Sequence, residues 1–183
     1  MIRTFRAAAI AVATFGCALA IGTGVSAPAE GIAAPAVTVA ATFSGSLEQQ
    51  VAAAARVETD NVEQDCLASA VYFEARGEPI EGQLAVAGVV LNRVASSRYP
   101  NTVCEVVEQP WQFSFVNATG RIPNADRSSD AWRRAVAIAR IAQAGTARAV
   151  DSNVLWYHAD YVSPSWGRRL ARQEQIGLHI FYS

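Results

Sequence analysis

The chain predicts a mostly helical α+β domain with a small β element, preceded by an export signal and a linker. Three stretches carry that prediction. Residues 66–93 hold two apolar helical patterns on either side of a Glu-Ala-Arg-Gly-Glu turn, residues 128–144 an amphipathic helix with a serine cap, and residues 154–182 two short β-type runs.

Taken in order, residues 1–29 have the layout of a secretory signal. Arg3 and Arg6 make a basic start, Ala7 to Ile21 an apolar run, and Ala27-Pro28-Ala29 a small-residue cleavage site before Glu30. The run is short for a membrane span, although an uncleaved signal would anchor the protein. Cys17 would suit lipidation, but Phe15 stands where that signal needs a small residue. The protein is therefore expected in the periplasm or cell envelope. Residues 30–61, rich in Ala, Val, Thr, Gly and Ser, read as a flexible linker. Within it Ser46 could cap a short helix, for which Leu47 and Val51 leave little to bury.

Residues 62–183 suit one domain. In its first helix Leu67, Ala70 and Val71 form an apolar stripe that also contains Glu74. Gly77 ends that helix, and Pro79 opens the next, which runs from Ile80 to about Ala95 and is apolar nearly all round, as a central helix is. Gly88 in its middle costs about 1 kcal/mol against alanine, so another element should approach closely there. Asn92 and Arg93 at its end read as network residues. Thr102 caps a short helix through Val103, Val106 and Val107 that Pro110 ends. Ser128 or Ser129 caps the helix to Ala144, and Gly145 stops it. Val154–Tyr157 and Gln175–Tyr182 then read as two strands paired across residues 168–172.

Glu74 is the candidate catalytic group. A carboxyl at the inner lip of a helix end is half desolvated, which favours keeping a proton to donate near neutral pH. The competing reading is a structural ion pair with an arginine. Glu78 is a turn acid, a partner for Arg76, or a groove residue. Cys66 and Cys104 are the two cysteines left after signal removal, and an even pair in an exported domain suggests a disulfide stabilising by about 4 kcal/mol.

Tyr72-Phe-Glu-Ala-Arg-Gly-Glu-Pro79, with Glu81-Gly-Gln-Leu-Ala-Val-Ala-Gly-Val-Val-Leu-Asn-Arg-Val94, resembles the bacterial cell wall hydrolases of the spore-cortex-lytic (SleB/CwlJ) type. Tyr99-Pro, Val103-Cys104, Gln112-Phe-Ser114, Trp156-Tyr-His-Ala159, Pro164-Ser-Trp166 and Ile176 to Tyr182 extend the likeness in order from about residue 64 to the end. It implies a lysozyme-like, lytic-transglycosylase-like fold acting as a monomer on peptidoglycan glycan strands. One glutamate would serve as acid and then base, and the muramic acid 6-hydroxyl would attack its own anomeric carbon, with no metal or other cofactor. Glu74 takes that role, and Gln112, Phe113, Asn153, Tyr157, His158, Trp166 and Glu78 become candidate substrate contacts: amides for hydroxyl and N-acetyl groups, rings for sugar faces. Tyr157 and Trp166 would serve equally as core. Many relatives carry cysteines just before that glutamine and shortly after it, where this chain has Trp111 and the Val116-Asn117 pair. The Asn117-Ala-Thr119 sequon reads as chance.

The other chemistries are thin. His158 and His179, with Asp160 nearby, fall short of a three-ligand zinc site and read as hydrogen-bonded structural or groove residues. A Cys-His nucleophile pair conflicts with a bridge. The net charge of −1 and the absence of lysine argue against a nucleic-acid surface. Two alternatives to glycan cleavage stay open: an amidase cutting the muramoyl–peptide bond, and a non-catalytic wall-binding module.

Overall fold

The computed structural model describes residues 45–116 and 118–183. The expected export signal (1–29, with Cys17), the expected linker up to residue 44, and Asn117 of the sequon lie outside those residues.

Helix α1, Leu47–Ala54, starts at a complete capping box: Ser46 Oγ accepts from the Gln49 amide while the Gln49 side chain accepts from the Ser46 amide. Here the linker expectation is corrected. Gln50, Val51 and Ala54 are buried, and α1 packs on helix α5 (Asp130–Ala144). The chain that follows is stitched to the same helix. Trp132 Nε1 donates to the Val57 carbonyl at 2.8 Å, and Arg140 donates to the carbonyls of Ala54 and Glu58 and pairs with Asp60. Residues 47–61 therefore belong to the domain. Their own sequence has little apolar surface, and the groups that hold them lie some eighty residues away on α5.

Helices α2 (Val62–Ala75) and α3 (Ile80–Ala95) form the centre, with Leu67, Ala70, Val71, Val86, Val89 and Val90 wholly enclosed. Gly88 has the expected close neighbour: a Cβ there would meet Val150 Cγ2 at 2.9 Å. Helix α4 (Val103–Val107) is capped by Thr102 and by Glu63 of α2, whose carboxylate accepts from the amides of Val103 and Cys104. The Cys66–Cys104 disulfide joins the same two helices, with 5.2 Å between Cα atoms. In α5, Ser129 is the N-cap and Gly145, at φ 66°, ends the helix in the left-handed conformation.

The β element has three strands, β1 (Trp156–Ala159), β2 (Arg172–Ile176) and β3 (His179–Tyr182), in the antiparallel order β1-β3-β2. The stretch read as a single strand, 175–182, is thus a hairpin, with Ile176 opposite His179 and a two-residue Gly177-Leu178 loop between them. Gly177 takes φ 57°, which glycine adopts without steric cost; one glycine in a β-rich run is a weak turn signal, so the fold at that point was not visible. The sheet is tied to α3 through Asn92, whose amide donates to the carbonyls of Asp151 and Val154, and Arg93, whose Nε donates to that of Leu155. Both are network residues, as expected.

Candidate active site

Glu74 stands in the last turn of α2, half-buried, on the wall of an open cleft of about 410 Å³. The cleft is lined by Phe73, Arg93, Gln112, Ser114, Tyr157 and His158, among others. Two hydroxyls hold the carboxylate from different sides. Ser114 Oγ donates to Oε1 at 3.2 Å, and the Tyr157 hydroxyl donates to Oε2 at 3.3 Å. Ser114 comes from the loop after α4 and Tyr157 from β1, so two remote segments meet on one acid. No arginine pairs with Glu74 at salt-bridge distance among the described residues, which leaves the structural ion-pair reading without a partner.

A cation lines the same cleft. Arg93 is 5% exposed, sits over the rings of Tyr99 and Phe113, and leaves Nη1 buried without a hydrogen-bond partner. Burial lowers its pKa from the ordinary arginine value, while Tyr99, Tyr157 and Glu74 favour the charged form. Burial, with Glu74 beside it, pushes the Tyr157 phenol well above the usual tyrosine value. Tyr157 therefore remains a proton-bearing donor at any physiological pH. His179, edge-on to Tyr157 at 5.1 Å, is pulled down by burial against the opposing pull of Glu78, Glu74 and Asp160, so it is neutral at pH 7.

His158 also lines the cleft. Its Nδ1 lies 2.9 Å from the Ala159 carbonyl, which can only accept, so Nδ1 carries a proton, and Nε2 is hydrogen-bonded with the Tyr182 hydroxyl at 2.9 Å. Both nitrogens are thereby committed to structure.

Several candidate contacts belong elsewhere. Phe113 is 3% exposed and packs in the core beside Phe115 and under Arg93. The loop alternates, with Gln112 and Ser114 outward and Phe113 inward, because the ring is the apolar member. That period of two brings Ser114, a member of the Gln112-Phe-Ser114 stretch that carries the family likeness, to the cleft. Glu78 is a latch: its carboxylate accepts from the Leu178 amide at 2.8 Å and holds the β2–β3 turn, while Arg76 lies over the Tyr72 ring. Asn153 is exposed in the turn before β1 and does not line the cleft. Trp166 packs edge-on against His158 and Tyr182, one layer behind the cleft wall. Arg93 and Tyr161 line the cleft without having been expected there. Three other hollows among the described residues gather around Arg148 and bring no tyrosine or histidine to a carboxylate.

The sequence model of the cell wall hydrolase family matches residues 77–182, more than half of the chain. The chain belongs to the cell wall hydrolase family. The segment matching this family's model includes Gln112, Ser114, Tyr157 and His158, and begins three residues after Glu74. Among curated proteins the chain is similar to the spore cortex-lytic enzymes of Oceanobacillus iheyensis (40% identical over 119 residues) and Bacillus subtilis (38% over 118). Each alignment takes in 63% of this chain, but only 39% and 35% of those proteins' own length. Among solved structures, the catalytic domain of the germination-specific lytic transglycosylase SleB from Bacillus anthracis aligns with a TM-score of 0.51 at 35% identity, over 66% of this chain and 93% of that one. The catalytic domain of Bacillus cereus SleB aligns at 0.52 and 32%, over 70% and 95%. The mostly helical, lysozyme-like α+β architecture of this cell wall hydrolase is thus the one expected.

Proposed function

We propose that this domain cleaves the peptidoglycan glycan strand between N-acetylmuramic acid and N-acetylglucosamine as a lytic transglycosylase, with Glu74 as its single acid and base. The observation that carries the reading is that Glu74 is the one carboxylate among the described residues lining the cleft. A two-carboxylate hydrolase needs a second acid across the scissile bond. Asp160 lies between the cleft-lining Ala159 and Tyr161, yet its carboxylate accepts from the Gln175 amide on β2. A lone glutamate suits the intramolecular route. It protonates the glycosidic oxygen as the bond to the anomeric carbon breaks, the 4-hydroxyl of the glucosamine leaves, and the 6-hydroxyl of the muramic acid closes onto the anomeric carbon. The carboxylate then takes the 6-hydroxyl proton, and the 1,6-anhydro end forms without water.

Ser114 and Tyr157 orient the carboxyl through both halves of that cycle, since a hydroxyl can donate to the carboxylate and accept from the acid. Gln112, exposed on the rim, offers an amide to hydroxyl or N-acetyl groups. The likeness to the catalytic domain of the lytic transglycosylase SleB of Bacillus anthracis supports the same substrate class. The signal-like first 29 residues support export to the envelope, where the domain would meet its substrate as a monomer.

The test is the muropeptide profile of digested peptidoglycan by mass spectrometry, with wild type and Glu74→Gln side by side. Wild type should yield anhydro-muropeptides and the variant none, with an unchanged melting temperature. Free stem peptides would instead indicate an amidase, and an unchanged profile a binding module.

A further inference from the structure

The turn that delivers the cleft loop departs from ordinary backbone chemistry. The Gln112 amide donates to the Gln109 carbonyl at 3.2 Å, closing a four-residue turn with Pro110 and Trp111 at its centre. Trp111 has φ 68°, and no other non-glycine among the described residues has a positive φ. Turns with proline second and a positive φ third ordinarily place glycine or asparagine there, and a bulky residue in that conformation is an outlier. Its indole is 83% exposed, so packing within the chain does not offset the strain. Strain of this kind clusters at active sites and ligand clamps. The next residue, Gln112, lines the cleft.

The cleft itself carries a second exposed ring. Tyr161 lines the cleft and is 81% exposed. It follows β1, the strand that brings Tyr157 to Glu74. Ser114 and Tyr157 reach different oxygens of Glu74, so the two segments that carry Trp111 and Tyr161 both contact the acid.

We propose that Trp111 and Tyr161 are sugar-stacking platforms beside the cleft, receiving the pyranose rings of a glycan strand longer than the disaccharide being cut; this rests on the reading of the cleft given above. A pyranose presents a face of C–H groups around polar edges, and the electron-rich face of an aromatic ring fits that surface without needing charge. Proline sets the backbone before Trp111, so little freedom is lost when a sugar docks. The consequence is a preference for long strands over short ones, decided at residues that touch neither the scissile bond nor Glu74.

The experiment measures binding by the full chain carrying Glu74→Gln, with and without Trp111→Gly or Tyr161→Ala, to purified insoluble peptidoglycan and to short and long soluble oligomers of N-acetylglucosamine. Glycine is at home at φ 68°, so Trp111→Gly removes the ring while keeping the turn. It should weaken binding to peptidoglycan and long oligomers roughly fivefold to tenfold, leave the shortest oligomers nearly unaffected, and not lower the melting temperature. Tyr161→Ala should act in the same direction. Unchanged affinity at every length, or a loss confined to thermal stability, would overturn the platforms. If wild type yields no anhydro-muropeptides, the reading of the cleft itself falls. If it yields them while Trp111→Gly binds normally, the platforms alone fall.

Discussion

The Tyr157 hydroxyl donates to Glu74 Oε2 at 3.3 Å across 83 residues of chain. This contact fastens the small sheet to the end of α2 and makes the acid part of a network rather than a solitary side chain.

Replacing that tyrosine by phenylalanine keeps the ring and deletes the donor. A hydrogen bond to a charged group is worth about 1.5–3 kcal/mol, and at 3.3 Å the lower end applies, so glycan-cleaving rate should drop roughly tenfold. Steady-state release of soluble muropeptides by Tyr157→Phe, beside a melting curve to show the fold intact, checks it.

The same phenol should ionise late in an alkaline titration. Its folded pKa lies above the unfolded tyrosine value, so above about pH 10 the folded state binds more protons than the unfolded one and stability falls as pH rises. Ultraviolet absorbance of the native protein should show one tyrosine ionising late, and Tyr157→Phe should remove that late phase.

His179 acts in the other pH direction. Its folded pKa is depressed by burial, so its share of stability is complete above the unfolded value of about 6.5 and is lost as pH falls below it. Denaturant melts at pH 7.5 and pH 5 should differ, and the difference should shrink in His179→Asn. Equal pH dependence of the two proteins would show that another group is responsible.

Glu78 should matter for stability rather than for chemistry. A Cβ on Gly177 would come 2.0 Å from Glu78 Oε2 and 2.9 Å from Pro79 Cδ, at a φ of 57°. Gly177→Ala should therefore cost roughly 1–3 kcal/mol, and Glu78→Ala about 1 kcal/mol through the lost bond to Leu178. Chemical denaturation measures both, and a muropeptide profile from Glu78→Ala that still contains anhydro ends separates it from Glu74→Gln.

Removal of the Cys66–Cys104 bridge is the largest expected loss. By the loop-entropy relation its 38-residue separation corresponds to about 4 kcal/mol. The double substitution to alanine, or reduction, should lower the denaturation free energy by about that amount.

What could be read early was what neighbouring residues decide among themselves. The bounds of α3 and α5 followed from apolar period and from caps at Ser129 and Gly145, and Glu74 was visible because a charge on an apolar helical stripe is costly without a reason. The pairing of Cys66 with Cys104 was suggested by the parity of the cysteines in an exported chain. Other features depended on distant groups. Residues 47–61 read as linker because their own apolar content is low, while Trp132 and Arg140 supply what holds them. Phe113 was expected in the groove beside Gln112, but its ring is buried against Arg93 of α3.

Local periodicity and capping therefore settled the helices and the position of the acid along its helix, since those depend on residues three or four apart. The tertiary structure alone decided which hydroxyls grip Glu74, that Glu78 faces a hairpin instead of the cleft, and that no second carboxylate among the described residues lines it. The reason is geometric: Ser114 lies 40 residues from Glu74 and Tyr157 lies 83, and only packing α2 against both the α4–α5 loop and the sheet brings them within reach of one carboxylate.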